Sequence, residues 1–189
     1  MGTFWNNCSY DDCTIYEGKF KMKFKTEFIK RFWNVEPKIR IYDLDGTIID
    51  SSHRARHDKN GKLDLDHWRE NNTKENIFRD DLLPMYWQLV ADYKNGDTII
   101  LCTARELGKW DMEYIHSMGI YYDYIYSRPI GDTRPDWKLK TDLCRHLFNF
   151  RQYKEIEKTL YDDNQLNLGA FLDLGAKICN AKEWNGRYA

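Results

Sequence analysis

From residue 38 onward, short apolar runs alternate with longer stretches whose apolar residues recur every three or four positions. A strand buried on both faces reads as a continuous apolar run, and a helix covering it reads as a stripe, so the alternation predicts a parallel sheet with crossover helices. The first strand is expected at Ile39-Arg40-Ile41-Tyr42, ending at Asp43, and the second at Thr98-Ile99-Ile100-Leu101-Cys102, ending at Thr103. A weaker strand is expected from Tyr122 to Tyr126, a fourth at Thr159-Leu160-Tyr161 ending at Asp162, and a fifth from Ala176 to Asn180. Polar residues follow several of these runs, which gathers chemistry at the C-terminal ends of the strands.

Between the strands, Leu82, Leu83, Tyr86, Leu89, Val90 and Tyr93 recur at helical spacing, and Asn95-Gly96 closes that helix. Trp110, Tyr114, Ile115 and Met118 mark a second helix, and Leu139, Leu143, Cys144 and Leu147 a third. Leu166, Leu168, Phe171 and Leu172 mark a fourth, ending near Gly175. All four stripes read as core. The expected fold is α/β, a Rossmann-like three-layer α/β/α arrangement with a mainly parallel sheet.

Two segments break the pattern. Residues 48 to 80 are polar and charge-rich and contain Lys59-Asn60-Gly61-Lys62, a hairpin turn signal, so they read as a small insertion, a minimal cap over the strand ends. Residues 1 to 37 read as an N-terminal extension to a domain spanning 38 to 189. Within it Phe20, Met22 and Phe24 alternate with lysines as in a half-buried strand, and Phe28, Ile29, Phe32 and Trp33 suggest a short helix. The lysines are expected in water rather than on a nucleic-acid backbone.

Composition narrows the class. With 189 residues, 42% hydrophobic, the chain suits one domain with a substantial core and is not a disordered segment. Twenty-nine basic against 30 acidic residues leave a formal charge of −1, so any site for a polyanion must be local. Five cysteines, an odd and scattered number, read as free thiols of a reduced intracellular protein, and Cys8 and Cys13 lack the companions of a structural zinc site. No apolar run approaches the ~20 residues that cross a bilayer. A cytoplasmic protein with no membrane partner is expected.

Asp43-Leu44-Asp45-Gly46-Thr47 follows the first strand and delivers two carboxylates to one strand end, with Gly46 allowing a sharp turn. An Asp can attack the phosphorus of a monoester once the phosphate charge is screened, which a hard divalent cation with oxygen ligands does, so Mg2+ is the expected cofactor. Asp43 is the expected nucleophile. Asp45 is the expected general acid and then base, with its carbonyl oxygen also available to the metal. Thr103 can donate to a phosphate oxygen, and the Arg105 fork suits phosphate or substrate. Of the two lysines in Asp136-Trp137-Lys138-Leu139-Lys140, Lys140 is preferred to neutralise the phosphate, because Asp136 stands four residues before it and would orient its ammonium. Lys138 is the reserve. Asp162 and Asp163 supply the further carboxylates of a metal site with Asp43 and Asp45.

These motifs, in this order, resemble the haloacid dehalogenase-like phosphatase superfamily. Lys38 to about Trp184 is most similar to the 3′-phosphatase domain of phage polynucleotide kinase-phosphatases, through Thr103-Ala104-Arg105-Glu106, Gly131-Asp132-Thr133-Arg134, Lys140 and Asp162-Asp163. The resemblance implies removal of a terminal phosphate from a polynucleotide or nucleotide, with Arg105 and Asp136 near the phosphate and Asp163 at the metal. No Gly-x-x-x-x-Gly-Lys-Ser/Thr occurs in the sequence, so the kinase half of those enzymes has no counterpart in these residues. The resemblance also implies a substrate-binding Arg after the first motif; Arg54 and Arg56 both qualify and stay unassigned. His53 and His57 read as solvated loop residues, and Trp68 as packed rather than stacked on a base. The substrate is thus a phosphate monoester, a polynucleotide 3′ end or a nucleotide, with a small metabolite as the alternative. A reading of a different class is an inactive member of the fold that binds nucleic-acid ends or a protein, and the intact Asp43 and Asp45 weigh against it.

Overall fold

The computed structural model describes residues 36–59 and 63–188, together with the backbone of Thr14–Tyr16 and Lys19–Lys21. Those two backbone segments are strands β1 and β2, followed by β3 (Ile39–Tyr42), β4 (Ile49–Asp50), β5 (Asp81–Leu82), β6 (Thr98–Cys102), β7 (Tyr124–Tyr126), β8 (Lys158–Asp162) and β9 (Lys177–Asn180). The helices are α1 (Leu65–Glu70), α2 (Lys74–Ile77), α3 (Met85–Lys94), α4 (Lys109–Ser117), α5 (Asp136–Asn149), α6 (Arg151–Lys154), α7 (Gln165–Asp173) and α8 (Ala181–Tyr188). The main sheet runs β1-β2-β7-β6-β3-β8-β9. Its β7-β6-β3-β8-β9 portion is parallel, while β1 and β2 add antiparallel pairings at the β7 side. This is the Rossmann-like α/β/α architecture expected from the alternating runs.

Period-two alternation sorts the strand residues onto two cores. Ile39 and Ile41 of β3, Ile100 and Cys102 of β6 and Leu160 of β8 face Leu139, Leu143 and Leu147 of α5 and Leu168 and Phe171 of α7. Tyr42, Ile99, Leu101 and Tyr161 face the other way, toward Met85 and Leu89 of α3 and Met112, Tyr114 and Ile115 of α4. On that second face the Tyr42 and Tyr161 rings stack 4.3 Å apart, and both hydroxyls donate to the buried Asp92, at 2.6 and 3.3 Å. Each fully buried aliphatic side chain contributes roughly 1.5–3 kcal/mol of transfer free energy, and these two cores hold β3 as the central strand.

Several boundaries differ from expectation for local reasons. The third strand begins at Tyr124 rather than Tyr122, because the Asp123 carboxylate takes the Ile99 N–H at 2.9 Å that the ladder would otherwise use. Leu82 lies in β5 and not in the following helix, which starts after Pro84. The expected strand around Phe20 is present as backbone in Lys19–Lys21, pairing with β7; Met22, Phe24, the Phe28 to Trp33 stripe, Cys8, Cys13 and Asn60–Lys62 lie outside the described residues.

Residues between β3 and α3 form the small insertion. β4 and β5 pair antiparallel, Ile49 opposite Leu82 and Asp50 opposite Asp81, and α1 and α2 are carried between them. Asp64 and Thr73 cap these short helices, accepting from His67 N and Asn76 N. Among the described residues no helix is long and apolar enough to cross a membrane.

Phe171 is fully buried between α5 and the sheet. Replacing it with Ala is expected to cost about 3–5 kcal/mol, the usual range for a fully buried aromatic, read as a lowered midpoint of urea unfolding at unchanged slope.

Candidate active site

β3 and β8 end side by side, and the chain beyond each carries the acidic residues of the site. Asp43 N donates to Tyr161 O at 3.0 Å, extending the ladder by one bond and fixing where the Asp43 side chain emerges. The turn that follows is tight: Leu44 O accepts from the N–H groups of Thr47, Ile48 and Ile49, and Gly46 adopts a φ of 71°. That left-handed conformation disfavours side chains, and there is also no room for one. A Cβ on Gly46 would lie 2.6 Å from Asp163 Oδ2.

Lys140 reaches this strand end from α5, only 1% exposed, with Nζ 2.7 Å from Asp43 Oδ1 and 2.7 Å from Asp162 Oδ2. Asp162 is completely buried and also accepts from Asn164 N and Asn167 Nδ2. Asp163 completes the group: one carboxylate oxygen from each of Asp43, Asp162 and Asp163 falls within 4.8 Å of the others. Burial pushes Asp43 well above the ordinary carboxylate range; Lys140 opposes this and the Asp162 charge adds to it. Burial and the Asp162 charge raise Asp163 as well. Lys140 would be lowered by burial, but Asp43 and Asp162 outweigh that and hold it protonated. Three carboxylates against one ammonium leave two negative charges, and the donors are hard oxygens. That set fits a divalent cation of the Mg2+ type.

Asp45 points into different surroundings. Its Oδ1 accepts from Ser51 Oγ at 2.5 Å and from Arg105 Nη2, and its Oδ2 accepts from Arg105 Nε at 3.0 Å. Burial pushes Asp45 up, but the Arg105 guanidinium overcomes it and holds the carboxyl below its ordinary value. The Asp45 side chain is not among the clustered carboxylates. Thr103 is buried at the end of β6 and its Oγ1 accepts from Arg105 N, bending the chain toward Asp45.

Two expected roles change. Asp136 does not orient Lys140: its carboxylate accepts from Arg128 Nη2 at 2.6 Å on an exposed helix start, while Lys140 is drawn inward by two buried carboxylates. Four-residue spacing brings surface neighbours together, and Lys140 is not on the surface. Lys138 is, paired with Asp142 at 3.3 Å. Arg105 was expected to face phosphate, and the structure instead gives its fork to Asp45 and Asp111, the latter at 2.8 Å. The unassigned pair also separates. Arg56 is exposed and paired with Asp64, whereas Arg54 is 2% exposed and bidentate to Asp80 at 2.8 and 2.9 Å. His53 is not merely solvated, since its Nε2 lies 2.9 Å from Asp80 Oδ1. The sequence reading missed Ser51, Asp80, Asp111 and Asn167. Only Asp111 carried a signal, its place in the first turn of α4, where it accepts from Gly108 N.

The fold is shared with solved structures of low sequence identity. A chain of the Pnkp1/Rnl/Hen1 complex superimposes with a TM-score of 0.56 at 24% identity, covering 78% of this chain and 46% of that one, so the present chain spans less than half of it. A haloacid dehalogenase-like hydrolase of Streptococcus pneumoniae gives a TM-score of 0.56 at 14% identity, covering 75% and 83% of the two chains. The chain thus has the fold of a haloacid dehalogenase-like hydrolase, with carboxylates and a lysine converging at the strand ends. Within it, residues 29–129 match the model of the Bacteriophage T5 5′-deoxynucleotidase family, and the chain is 35% identical over 180 positions to the 5′-deoxynucleotidase of Escherichia phage T5, covering 85% of this chain and 73% of that protein. The chain belongs to this family.

The crowding at Gly46 gives a test of the acidic cluster. Mg2+ is expected to raise the melting temperature of the wild type, because a ligand that binds only the folded state stabilises it by mass action. Gly46→Ala, which must displace Asp163, is expected to abolish that rise, as followed by thermal unfolding with and without chelator. Lys140→Met is expected to cost about 3–5 kcal/mol in the absence of divalent cation, since it leaves Asp43 and Asp162 without their shared ammonium; denaturant titration reads it.

Proposed function

We propose that the protein is a phosphomonoesterase that removes the 5′-phosphate from deoxynucleoside monophosphates through an aspartyl-phosphate on Asp43. The observation that carries the chemistry is the division of labour at one strand end: Asp43 faces Lys140 and the carboxylate cluster, while Asp45, two residues on, faces Arg105 and Ser51. The substrate rests on the 35% identity to a 5′-deoxynucleotidase, which outweighs the 3′-end reading, since the structures behind the latter agree in fold alone.

In this mechanism an Asp43 oxygen attacks phosphorus as the bond to the sugar 5′-oxygen breaks, and Asp45, which Arg105 holds below its ordinary value in the free enzyme and which takes up a proton as the anionic phosphate binds beside it, passes that proton to the leaving oxygen. Asp45 then takes a proton from the water that attacks the phosphorus of the aspartyl-phosphate, returning Asp43 and releasing inorganic phosphate. Lys140 stays between Asp43 and Asp162, aiming Asp43 and favouring its ionised form against the effect of burial. Thr103 offers its hydroxyl proton to a phosphate oxygen. Asp43, Asp162, Asp163 and the Asp45 carbonyl would hold a divalent cation such as Mg2+, which would supply positive charge to screen the phosphate from the incoming carboxylate.

Phosphate release measured with Mg2+ from 5′- and 3′-deoxynucleoside monophosphates and from a 3′-phosphorylated oligonucleotide is expected to favour the 5′-mononucleotides. Asp43→Asn is expected to lower kcat by about 10³-fold or more, as loss of a nucleophile does. Preference for the oligonucleotide would overturn the substrate, and an active Asp43→Asn would overturn the mechanism.

A further inference from the structure

Asp80, at the end of the insertion and 4% exposed, joins the cap to the site through more polar contacts than its neighbours make. Oδ1 accepts from Arg54 Nε at 2.9 Å and lies 2.9 Å from His53 Nε2, and Oδ2 accepts from Arg54 Nη2 at 2.8 Å. The same Oδ2 is 3.7 Å from Arg105 Nη2, and the Asp80 carbonyl oxygen accepts from Tyr114 Oη at 2.7 Å, tying the cap to α4. Arg54 is held in turn by Asn72 Oδ1 at 3.1 Å and by the Trp68 ring, whose centroid is 4.2 Å from its guanidinium carbon and 5.3 Å from that of Arg105.

Arg105 therefore sits between two anchored carboxylates. On one side Nη1 donates to Asp111 Oδ1, whose other oxygen is fixed by Gly108 N at the start of α4. On the other side stands the Asp80 carboxylate, fixed by Arg54. The remaining edge of the guanidinium, Nε with Nη2, grips both oxygens of Asp45. A planar fork that is located from two sides sets the plane and direction of the carboxyl it grips.

We propose that Asp80 is a positioning residue for Asp45: by holding Arg54 and facing Arg105, it fixes the guanidinium that aims the Asp45 carboxyl at the leaving oxygen. The assignment rests on the phosphatase reading above, in which Asp45 gives its proton to the alkoxide as the P–O bond breaks. Removing the Asp80 charge while keeping its shape lets Arg105 shift toward Asp111 and takes Asp45 with it. A displacement of about 1 Å in a reacting group is enough to cost on the order of 10²-fold in rate. The cost falls on esters that need the proton. A nitrophenolate leaves without one, so an aryl phosphate does not register a misaimed acid.

The experiment compares kcat/KM on a deoxynucleoside 5′-monophosphate with kcat/KM on p-nitrophenyl phosphate for wild type and Asp80→Asn, because kcat/KM reports the steps through departure of the leaving group and excludes the hydrolysis of the aspartyl-phosphate common to both esters. The ratio of nucleotide to aryl rate is expected to fall about tenfold or more in Asp80→Asn, with KM for the nucleotide changed by less than about threefold. Asp111→Asn, which frees the opposite side of Arg105, is expected to lower the ratio in the same direction and serves if Asp80→Asn does not fold. Tyr114→Phe, which removes only the bond to the Asp80 carbonyl, is expected to lower the melting temperature and leave the ratio within about twofold. An active wild type with both Asn variants at the wild-type ratio overturns the assignment alone, as does an equal loss on both esters. A wild type silent on both esters overturns the phosphatase reading together with it.

Discussion

The ammonium of Lys140, buried between Asp43 and Asp162, is the interaction on which the rest of the site depends. Burying one charge is costly, and burying three is tolerable only when each meets a partner at hydrogen-bond distance with its remaining atoms satisfied. Here α5 must pack so that Lys140 reaches the ends of β3 and β8, which fixes the helix along its axis as well as against the sheet. Leu139, Leu143 and Leu147 of the same helix supply the apolar face that keeps it there. The geometry of the reacting end of the molecule is therefore set by the same packing that makes the core.

The charge balance around that lysine remains incomplete. Asp43, Asp162 and Asp163 outnumber it, and Asp43 and Asp163 are displaced upward, chiefly by burial and further by the Asp162 charge. A surplus of buried carboxylate oxygens is a poor arrangement for stability and a good one for a hard cation. Two residues further along the chain, the turn through Gly46 sends Asp45 into a cationic setting instead. One short segment thus places two identical side chains in opposite electrostatic surroundings, which is how a single strand end gives two carboxylates different proton affinities.

What was legible in the sequence follows the range of the interactions involved. β3 and β6 could be read because a buried parallel strand is a local apolar run, and both were found at the expected residues. Asp43, Asp45, Thr103, Lys140, Asp162 and Asp163 could be named because each sits at or near the end of such a run or beside a motif, and the structure brings them to one end of the sheet. Asp136 shows where local spacing misleads. It stands four residues from Lys140, yet the partners of Lys140 come from strands 22 and 97 residues away, and only the folded chain reveals that they win. Asp80 had no local signal at all, since its partners Arg54 and Tyr114 are 26 and 34 residues distant.

The two charge clusters differ in where their residues come from. Those around Asp43 belong to β3, α5 and the β8 end, the framework itself, whereas Arg54, Trp68, Asn72 and Asp80 come from the insertion and meet the framework at Arg105. A fold that takes one carboxylate cluster from the framework and the setting of the neighbouring Asp45 from an insertion can vary the second while the first stays intact. Loops carried on a rigid scaffold commonly divide labour in this way. The guanidinium of Arg105 is the physical joint: it is anchored to the framework through Asp111 at the start of α4, faces Asp80 on the cap, and holds Asp45 between them. Changes in the cap can therefore reach Asp45 through Arg105 without disturbing the Asp43–Lys140–Asp162 cluster.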